Sequence, residues 1–355
     1  MKLVIFLFSA FVSTILAPLV IRFYTRKKWL DDPGKTPHIK KTHKKPVPRG
    51  GGLVVFLGIL VGSLLFLNLD QYLLYILLGA TILTIVGILD DIFDIHPFIR
   101  LITGLIASIL VIQTGIEIGY VSNPFGIGVL SLPDISFLNS LDSNIITSVF
   151  SLSGLATLLF IMWNMNILNW AKGVDGQLPG FVSVSAIFIG LLSFRFIDDP
   201  TTFNTSYLSF IVAGSYFGLL LWNWYPQKMM PGYGAGSLAG YFLSILAILS
   251  GAKLATTLMV LALPTADGIF TISRRILAGK SPFWGDRGHF HHKLMDVFGW
   301  GKRRIAIFYW LVSLFLGTLS LFLNTTGKII TFLLTVSFVF GFLIWTKWYS
   351  QKNKN

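Results

Sequence analysis

Residues 72–94 read YLLYILLGATILTIVGILDDIFD, an apolar run that ends in three aspartates. A membrane-spanning helix needs about 20 mostly apolar residues, and this run has that length. Asp90 and Asp94 share a helix face if the helix continues, whereas Asp91 points elsewhere. Neighbouring carboxylates at a helix C-terminus repel each other and face the negative end of the helix dipole. The three acids therefore predict a metal, a cation or a proton-transfer role, with a water-solvated cap as the alternative.

The same alternation of apolar runs and polar gaps fills the chain. A mean hydropathy of +0.73, with 54% hydrophobic and 12% charged residues, excludes an ordinary soluble domain. We predict an all-α integral membrane protein, a polytopic bundle of about 11 transmembrane helices in one domain over residues 1–355. The predicted spans are 3–22, 51–69, 72–89, 98–114, 146–165, 179–195, 205–224, 236–250, 253–272, 305–323 and 327–346. The first is predicted to be retained, because basic residues follow it without a small-residue cleavage site.

The basic residues predict the orientation. Alternation of eleven spans places 24 of the 28 Lys and Arg residues on one side, together with all six histidines. By the positive-inside rule this side is cytoplasmic, the N-terminus lies outside and the C-terminus inside. The net charge of +13 then belongs to a membrane face in contact with lipids, and no nucleic-acid partner is needed. The predicted cytoplasmic loops are about 23–50, 90–97, 166–178, 225–235 and 273–304.

Two further features concern the rest of the chain. There is no cysteine, which excludes disulfides, thiolate catalysis and cysteine-ligated metal. The longest outer gap, 115–145, alternates apolar and polar residues around Asn123-Pro124 and a Gly-Ile-Gly triplet. This alternation predicts a small external β-hairpin.

The gap WNMNILNWAKGVDGQLPG is the second polar cluster. Asn166 and Asn169 lie one helical turn apart, and Lys172 follows one turn later. Side-chain amides at this spacing can bind a nucleobase, a sugar or a metal, although asparagine is also a common helix cap. The glycines on either side of Asp175 favour a loop whose backbone contacts a ligand.

The third cluster is the gap that follows the ninth span. Asp267 lies within that span, where an ionisable side chain is costly and typical of function. Arg274 and Arg275 at its end are interpreted as headgroup anchors. Beyond them lies a donor-rich group suited to phosphate or pyrophosphate, made of Arg287, His289, His291 and His292. Zinc binding is the alternative, but the chain has no cysteine and no second pair of ligands at a suitable spacing to support it. The first loop adds Lys44, Lys45 and Arg49 among further cations, some of which are expected to contact phosphates.

Together these motifs resemble the polyprenyl-phosphate N-acetylhexosamine-1-phosphate transferases of glycosyltransferase family 4, and within them the undecaprenyl-phosphate GlcNAc-1-phosphate branch. These bacterial enzymes start glycan synthesis, such as that of lipopolysaccharide or teichoic acid, on a lipid carrier. The resemblance covers essentially the whole chain. The matching residues are Asp31-Asp32-Pro33-Gly34, Lys41-x-His43, Pro46-x-Pro48-Arg49-x-Gly51-Gly52, Asp90-Asp91-x-x-Asp94, Arg274-Arg275, Gly279-Lys280-Ser281-Pro282-Phe283 and Asp286-Arg287-x-His289-x-His291-His292.

The resemblance implies transfer of a hexosamine-1-phosphate, GlcNAc-1-phosphate first among the candidates, from a UDP-N-acetylhexosamine to undecaprenyl phosphate or a similar prenyl phosphate. It also implies Mg²⁺, a homodimer and a place in the bacterial inner membrane with the site facing the cytoplasm. The roles carried over are a base or phosphate-positioning acid for Asp90, supported by Asp91 and Asp94. The remaining roles are metal binding for Asn169 and substrate binding for Lys44, Lys45, Arg49, Asn166, Lys172, Asp175, Arg287, His289, His291 and His292.

The chain departs from the family pattern at two positions. Lys172 and Gly234 stand where the family usually has aspartates, and hard Mg²⁺ prefers such acids. Two interpretations follow from the sequence. Either Lys172 neutralises phosphate charge in place of the metal, or the chain is a catalytically degenerate relative that binds prenyl phosphate or nucleotide sugar as a partner or regulator. A transporter is a third alternative, disfavoured because the charges crowd one face instead of mid-membrane sites.

Overall fold

The computed structural model describes residues 1–34, 42–123, 128–132, 148–149, 151–193, 200–250, 254–281 and 286–352. Within these residues the chain forms helices joined by short loops, with two small antiparallel sheets. The helices are α1 Lys2–Arg26, α2 Gly51–Phe66, α3 Gln71–Phe93, α4 Pro97–Ile112, α5 Leu152–Trp170, α6 Gln177–Ser193, α7 Pro200–Asn223, α8 Gly232–Leu249, α9 Leu254–Val260, α10 Ala262–Leu277, α11 Phe290–Phe298, α12 Lys302–Phe322 and α13 Thr325–Lys352. The strands are β1 Leu30–Asp31, β2 Val47–Pro48, β3 Tyr120–Ser122 and β4 Val129–Ser131.

The predicted helical, polytopic membrane architecture is confirmed. Seven helices are long and apolar enough to cross a membrane, and the pair α9 and α10, bent by 78°, makes an eighth if it is one span. Helices α2, α4 and α6 are apolar but shorter. Each of the eleven predicted segments overlaps one of these helices or the bent pair. The number of spans and their orientation stay predictions.

Helix α8 lies at the centre of the bundle. It packs against α5, α3 and α2. Within its apolar 18-residue stretch 83% of the residues are buried, compared with 17% in the peripheral α13. Tyr241 on α8 donates a hydrogen bond to Ile76 O of α3 at 3.0 Å, which satisfies a hydroxyl group buried in an apolar environment. Glycines along α8 allow backbones to approach closely, as is typical of helix contacts in membranes. A Cβ at Gly240 would lie 2.3 Å from Met165 N of α5.

The two sheets bear on two of the predictions. Strands β3 and β4 pair antiparallel with Tyr120 opposite Ser131, so the predicted hairpin is confirmed in its described part, although residues 124–127 lie outside that part. Strands β1 and β2 pair within the first loop, where Arg49 and Asp31 form an ion pair at 2.9 Å. Residues 35–41, which carry three lysines of that loop, among them Lys41 of a family motif, lie outside the described residues.

The close packing at Gly240 generates a prediction about stability. Gly240→Ala should destabilise the protein by about 1–3 kcal/mol, because the added methyl group meets backbone atoms that cannot move aside. Thermal unfolding of the purified protein in detergent measures this effect. The control is Gly341→Ala on α13, where an added Cβ would meet no atom of another described segment within 4 Å. An equal loss in both variants would show that helix–helix contact at Gly240 is not the cause.

Candidate functional site

Several loops meet at one end of the bundle. Gly51 N at the start of α2 donates to Met230 O at 3.1 Å, and Met230 N donates to Pro48 O at 2.8 Å. Tyr233 N at the start of α8 donates to the Asp91 carboxylate at 3.4 Å. Together with the contact between Lys172 and Gly232, these hydrogen bonds join four of the predicted cytoplasmic loops around the N-terminus of α8. The four loops are 23–50, 90–97, 166–178 and 225–235.

The aspartates close α3. Asp94 ends the helix with a left-handed φ of 47°, and its side chain is largely exposed, whereas Asp90 is buried. Arg100 of α4 pairs with both of them, at 2.6 Å from Asp90 and 3.1 Å from Asp94. Asp91 points elsewhere, toward the backbone of Gly232 and Tyr233, as helical spacing predicted. Arg100 was missed by the sequence analysis, although a lone cation soon after three acids was a usable signal.

Lys172 reaches the same place from the end of α5. Its Nζ donates to Gly232 O at 2.6 Å and to Asn169 Oδ1 at 2.9 Å, and lies 5.9 Å from the centre of the Tyr233 ring. The amide nitrogen of Asn169 donates to Ser237 Oγ at 2.9 Å, which fixes the orientation of the amide. Burial lowers the pKa of the Lys172 ammonium to about 8, although the nearby aspartates oppose this shift. Lys172 is therefore mostly protonated at neutral pH.

Asn169 does not present the ligand set of a magnesium site. In the part of the chain that the structure describes, no three His, Asp or Glu side chains are grouped so that they could hold a metal ion. The Oδ1 atom of Asn169 is used by Lys172, and the nearest acids are already paired with Arg100 or the α8 backbone. Mg²⁺ prefers several carboxylate or water oxygens in octahedral geometry. The residues present do not fit such a cage, and Mg²⁺ stays a prediction.

Asp175 lies in a second polar group beside this one. It is buried, pairs with Lys302 of α12 at 2.8 Å and accepts a hydrogen bond from Gln227 N at 3.2 Å. Trp310 donates to Gly176 O at 3.0 Å, and its ring lies 5.1 Å from that of Trp224. Two tryptophan rings and an ion pair thus surround the Gly-Val-Asp-Gly loop. Lys302 was not predicted from the sequence.

The histidines are organised by Asp267. This buried carboxylate accepts Phe290 N at 2.8 Å at the start of α11 and pairs with His289 Nδ1 at 2.9 Å. The rings of His289 and His291 stack with 5.6 Å between their centres. A Cβ at Gly173 would lie 1.9 Å from His291 Nε2, so only glycine permits this approach beside Lys172. Asp267, whose place within an apolar span predicted a functional role, therefore fixes the start of α11 and the ring of His289.

Two of these histidines, His291 and His292, are buried and neutral at physiological pH. Burial lowers the pKa of His291 well below its usual value and that of His292 to about 4, and the nearby Arg287 acts in the same direction on both. Neither ring nitrogen of His291 has a hydrogen-bond partner among the described residues. A neutral imidazole donates one hydrogen bond and accepts one, so the positive charge near these rings comes from arginines.

Those arginines are held by acids. Arg274 and Arg275 both pair with Asp286, at 2.8 and 3.2 Å, and Arg275 is only 2% exposed. The headgroup-anchor interpretation is therefore wrong for Arg275, because a buried guanidinium cannot contact lipid. Burial by itself would raise the pKa of Asp286, but hydrogen bonds from Gly288 N and the two arginines hold it well below its usual range. Arg287 pairs with Asp296 at 2.6 Å.

Three predicted site residues, Lys44, Lys45 and Asn166, are not drawn into these groups. Lys44 and Lys45 are exposed, whereas Arg49 of the same loop is partly buried and paired with Asp31. Asn166 donates to Met162 O of its own helix at 2.7 Å, which is the structural role left open for it. The first loop nevertheless reaches the site, because Thr42 donates to Gly173 O at 3.4 Å.

The neutral histidines predict a pH dependence of stability. The unfolded chain protonates histidine near pH 6.5, whereas folded His292 has a pKa of about 4. Between these values the unfolded chain binds more protons, so stability should fall as the pH drops from about 6.5 toward 4. Melting temperatures in detergent should show a smaller drop for His292→Gln than for the unchanged protein. The control His96→Gln alters an exposed histidine; if it flattens the profile equally, burial of His292 is not the cause.

Known proteins are similar to this chain over most of its length. The sequence profile described as "Glycosyl transferase family 4" matches residues 73–251, which include the aspartates, Asn169, Lys172, Asp175 and the start of α8. The chain is 28% identical over 320 residues to a probable undecaprenyl-phosphate N-acetylglucosaminyl 1-phosphate transferase of Bacillus subtilis, covering 87% of this chain and 81% of that protein. It is 26% identical over 353 residues to an undecaprenyl-phosphate alpha-N-acetylglucosaminyl 1-phosphate transferase of Escherichia coli O157:H7, covering 96% and 89%. With a match to half of its length, this chain belongs to glycosyl transferase family 4.

Proposed function

We propose that this protein transfers GlcNAc-1-phosphate from UDP-GlcNAc to undecaprenyl phosphate. A phosphate oxygen of the lipid attacks the β-phosphorus of the donor, the bond from that phosphorus to the bridging oxygen breaks, and UMP leaves. The product is a sugar linked to the lipid through a diphosphate. The relatives named above support this reaction and these substrates. The observation that carries the proposal is the meeting of Asp90, Asp91, Asn169 and Lys172 at one end of an apolar bundle.

The chemistry requires two anions to meet. Phosphoryl transfer depends mainly on positioning and on stabilising negative charge, and fixed cations in a site with little water do this most strongly. Arg100, Lys172 and Arg49 lie around the two adjacent aspartates and supply that charge. Asp90, which Arg100 holds in place, is proposed to position the lipid phosphate and accept its proton.

The donor nucleotide is proposed to lie across the loop after α5. Asp175, oriented by Lys302, would accept hydrogen bonds from the uracil, and the neighbouring tryptophans offer stacking surfaces. The His289–His291 pair lies on the other side of Gly173, where it would contact the sugar and its phosphate. The glycine therefore joins the two halves of the donor site.

The location follows from the substrates. A water-soluble nucleotide sugar must meet a membrane lipid at the surface, and the excess of basic residues predicts that this surface is cytoplasmic. We therefore propose an inner-membrane protein of a bacterium, with the site facing the cytoplasm. A homodimer and contacts with anionic lipids stay predictions.

The first experiment measures UMP release by the purified protein with UDP-GlcNAc and undecaprenyl phosphate. Release should fall by about 100-fold or more in Asp90→Asn, because the amide cannot accept a proton. The matched control is Asp70→Asn, which makes the same change at the N-cap of the same helix. Donor binding without release from any UDP-hexosamine would contradict the proposal and favour the catalytically degenerate relative.

Arg100 gives a second prediction. Arg100→Met should lower the rate of UMP release by about 10- to 100-fold, since a charge-assisted contact is worth roughly 1.5–3 kcal/mol and Asp90 would lose its partner. Arg100→Lys keeps the charge but cannot bridge two carboxylates in the same way. Its rate of UMP release should lie between that of the unchanged protein and that of Arg100→Met. Arg303→Met removes an exposed arginine from the start of α12 and serves as the control. A rate in Arg100→Met equal to that of this control would show that the bridge has no role.

A further inference from the structure

The contacts of Lys172 differ from those of the other cations near the aspartates. Arg49 pairs with Asp31, and Arg100 pairs with Asp90 and Asp94. Lys172 makes no ion pair with the described residues; its two hydrogen-bond acceptors are uncharged oxygens, Gly232 O and Asn169 Oδ1. Its charge is therefore held in position without being neutralised by direct contact.

The acceptors are themselves fixed. Gly232 has a φ of +68°, which glycine adopts freely, and a Cβ there would lie 2.6 Å from an Asp91 oxygen. A Cβ at residue 236 would lie 2.4 Å from Asn169 Oδ1, so glycine is needed there as well. An ammonium group has three protons to donate, and these two contacts use two of them. Lys172 is only partly buried, which leaves its third proton for a ligand.

Close helix packing surrounds Gly234, which stands where the family usually has an aspartate. Gly234, Gly52 and Gly87 lie where α8, α2 and α3 cross. A Cβ at Gly52 would lie 2.8 Å from Gly234 Cα, and one at Gly87 would lie 2.6 Å from it. A Cβ at Gly234 itself would lie 3.3 Å from Gly52 Cα and 3.5 Å from Gly87 Cα, so an acidic side chain there would need these backbones to give by a few tenths of an ångström. Among the described residues the chain thus has an ammonium group at residue 172 and no cage of carboxylates around it.

We propose that Lys172 is the fixed cation of the donor site, binding the diphosphate of the nucleotide sugar directly in the role a divalent cation would otherwise fill. This inference rests on the proposed function. Lys172 stays protonated throughout: its hydrogen bond to the diphosphate strengthens as negative charge gathers on the departing UMP oxygen, and no proton needs to move from it. Asp90 and Asp91 balance its charge before the donor arrives.

The test is the binding of UDP-GlcNAc to the full-length protein in detergent, by titration calorimetry in EDTA and in excess MgCl2. The dissociation constant should be the same in both conditions. Lys172→Met, of similar length without charge, should weaken binding about 10- to 100-fold in EDTA, and MgCl2 should not restore it. Lys228→Met is the matched control, since Lys228 is exposed and rests on the Trp222 ring. Melting temperatures verify that each variant is folded.

Three results would overturn the inference: binding that requires MgCl2, equal affinity in Lys172→Met and in the control, or no binding in either condition. UMP release, measured in parallel in EDTA, separates it from the proposed function. Binding that depends on Lys172 and not on metal, without any release of UMP, would support the inference about the site while refuting the transfer reaction.

Discussion

The close approach of the N-terminus of α8 to its neighbours is the constraint on which the site depends. Gly232, Gly234 and Gly236 let this helix touch α2, α3 and the end of α5 with backbone atoms. Because no side chains intervene, the Gly232 carbonyl reaches Lys172, and the Tyr233 amide reaches Asp91. Larger residues at these positions would separate the aspartates from the Lys172 loop.

The bundle places this polar group where it can be tolerated. Charges within an apolar interior are expensive unless they are paired or hydrogen-bonded, and here nearly every acid has a cation or a backbone amide beside it. Asp90 has Arg100, Asp175 has Lys302 and Asp286 has two arginines. These charges are therefore held in position by direct contacts in the absence of substrate, and fixed charges are what stabilisation of developing charge requires.

The histidine group extends the same principle and includes two neutral rings, those of His291 and His292. His289 is oriented by buried Asp267, while His291 lies against Gly173 and beside His292. Neutral rings provide hydrogen bonds without adding repulsion to a region already rich in arginine and lysine. A sugar, which is uncharged but has many hydroxyl groups, matches such donors and acceptors better than a second phosphate does.

The sequence by itself determined that the protein is a helical membrane protein, where its apolar segments lie, and which polar loops carry the candidate site residues. It did so because hydrophobic length and charge distribution are local properties of the chain. It also indicated Asp90, Asp91, Asn169 and Asp175 through their spacing and the resemblance that their motifs carry. The number of spans stays a prediction, since α2, α4 and α6 are shorter than the other apolar helices and α9 is bent by 78° against α10.

Only the tertiary structure decided the partners. Lys172 lies 60 residues from Gly232, Asp175 lies 127 from Lys302, and Asp91 lies 142 from Tyr233. Such contacts depend on how helices cross, which local patterns do not specify. For the same reason the sequence could present Arg275 as a lipid anchor, whereas packing buries it against Asp286. The neutral oxygens around Lys172 likewise come from backbone and amide groups, whose positions follow from helix packing and not from residue type.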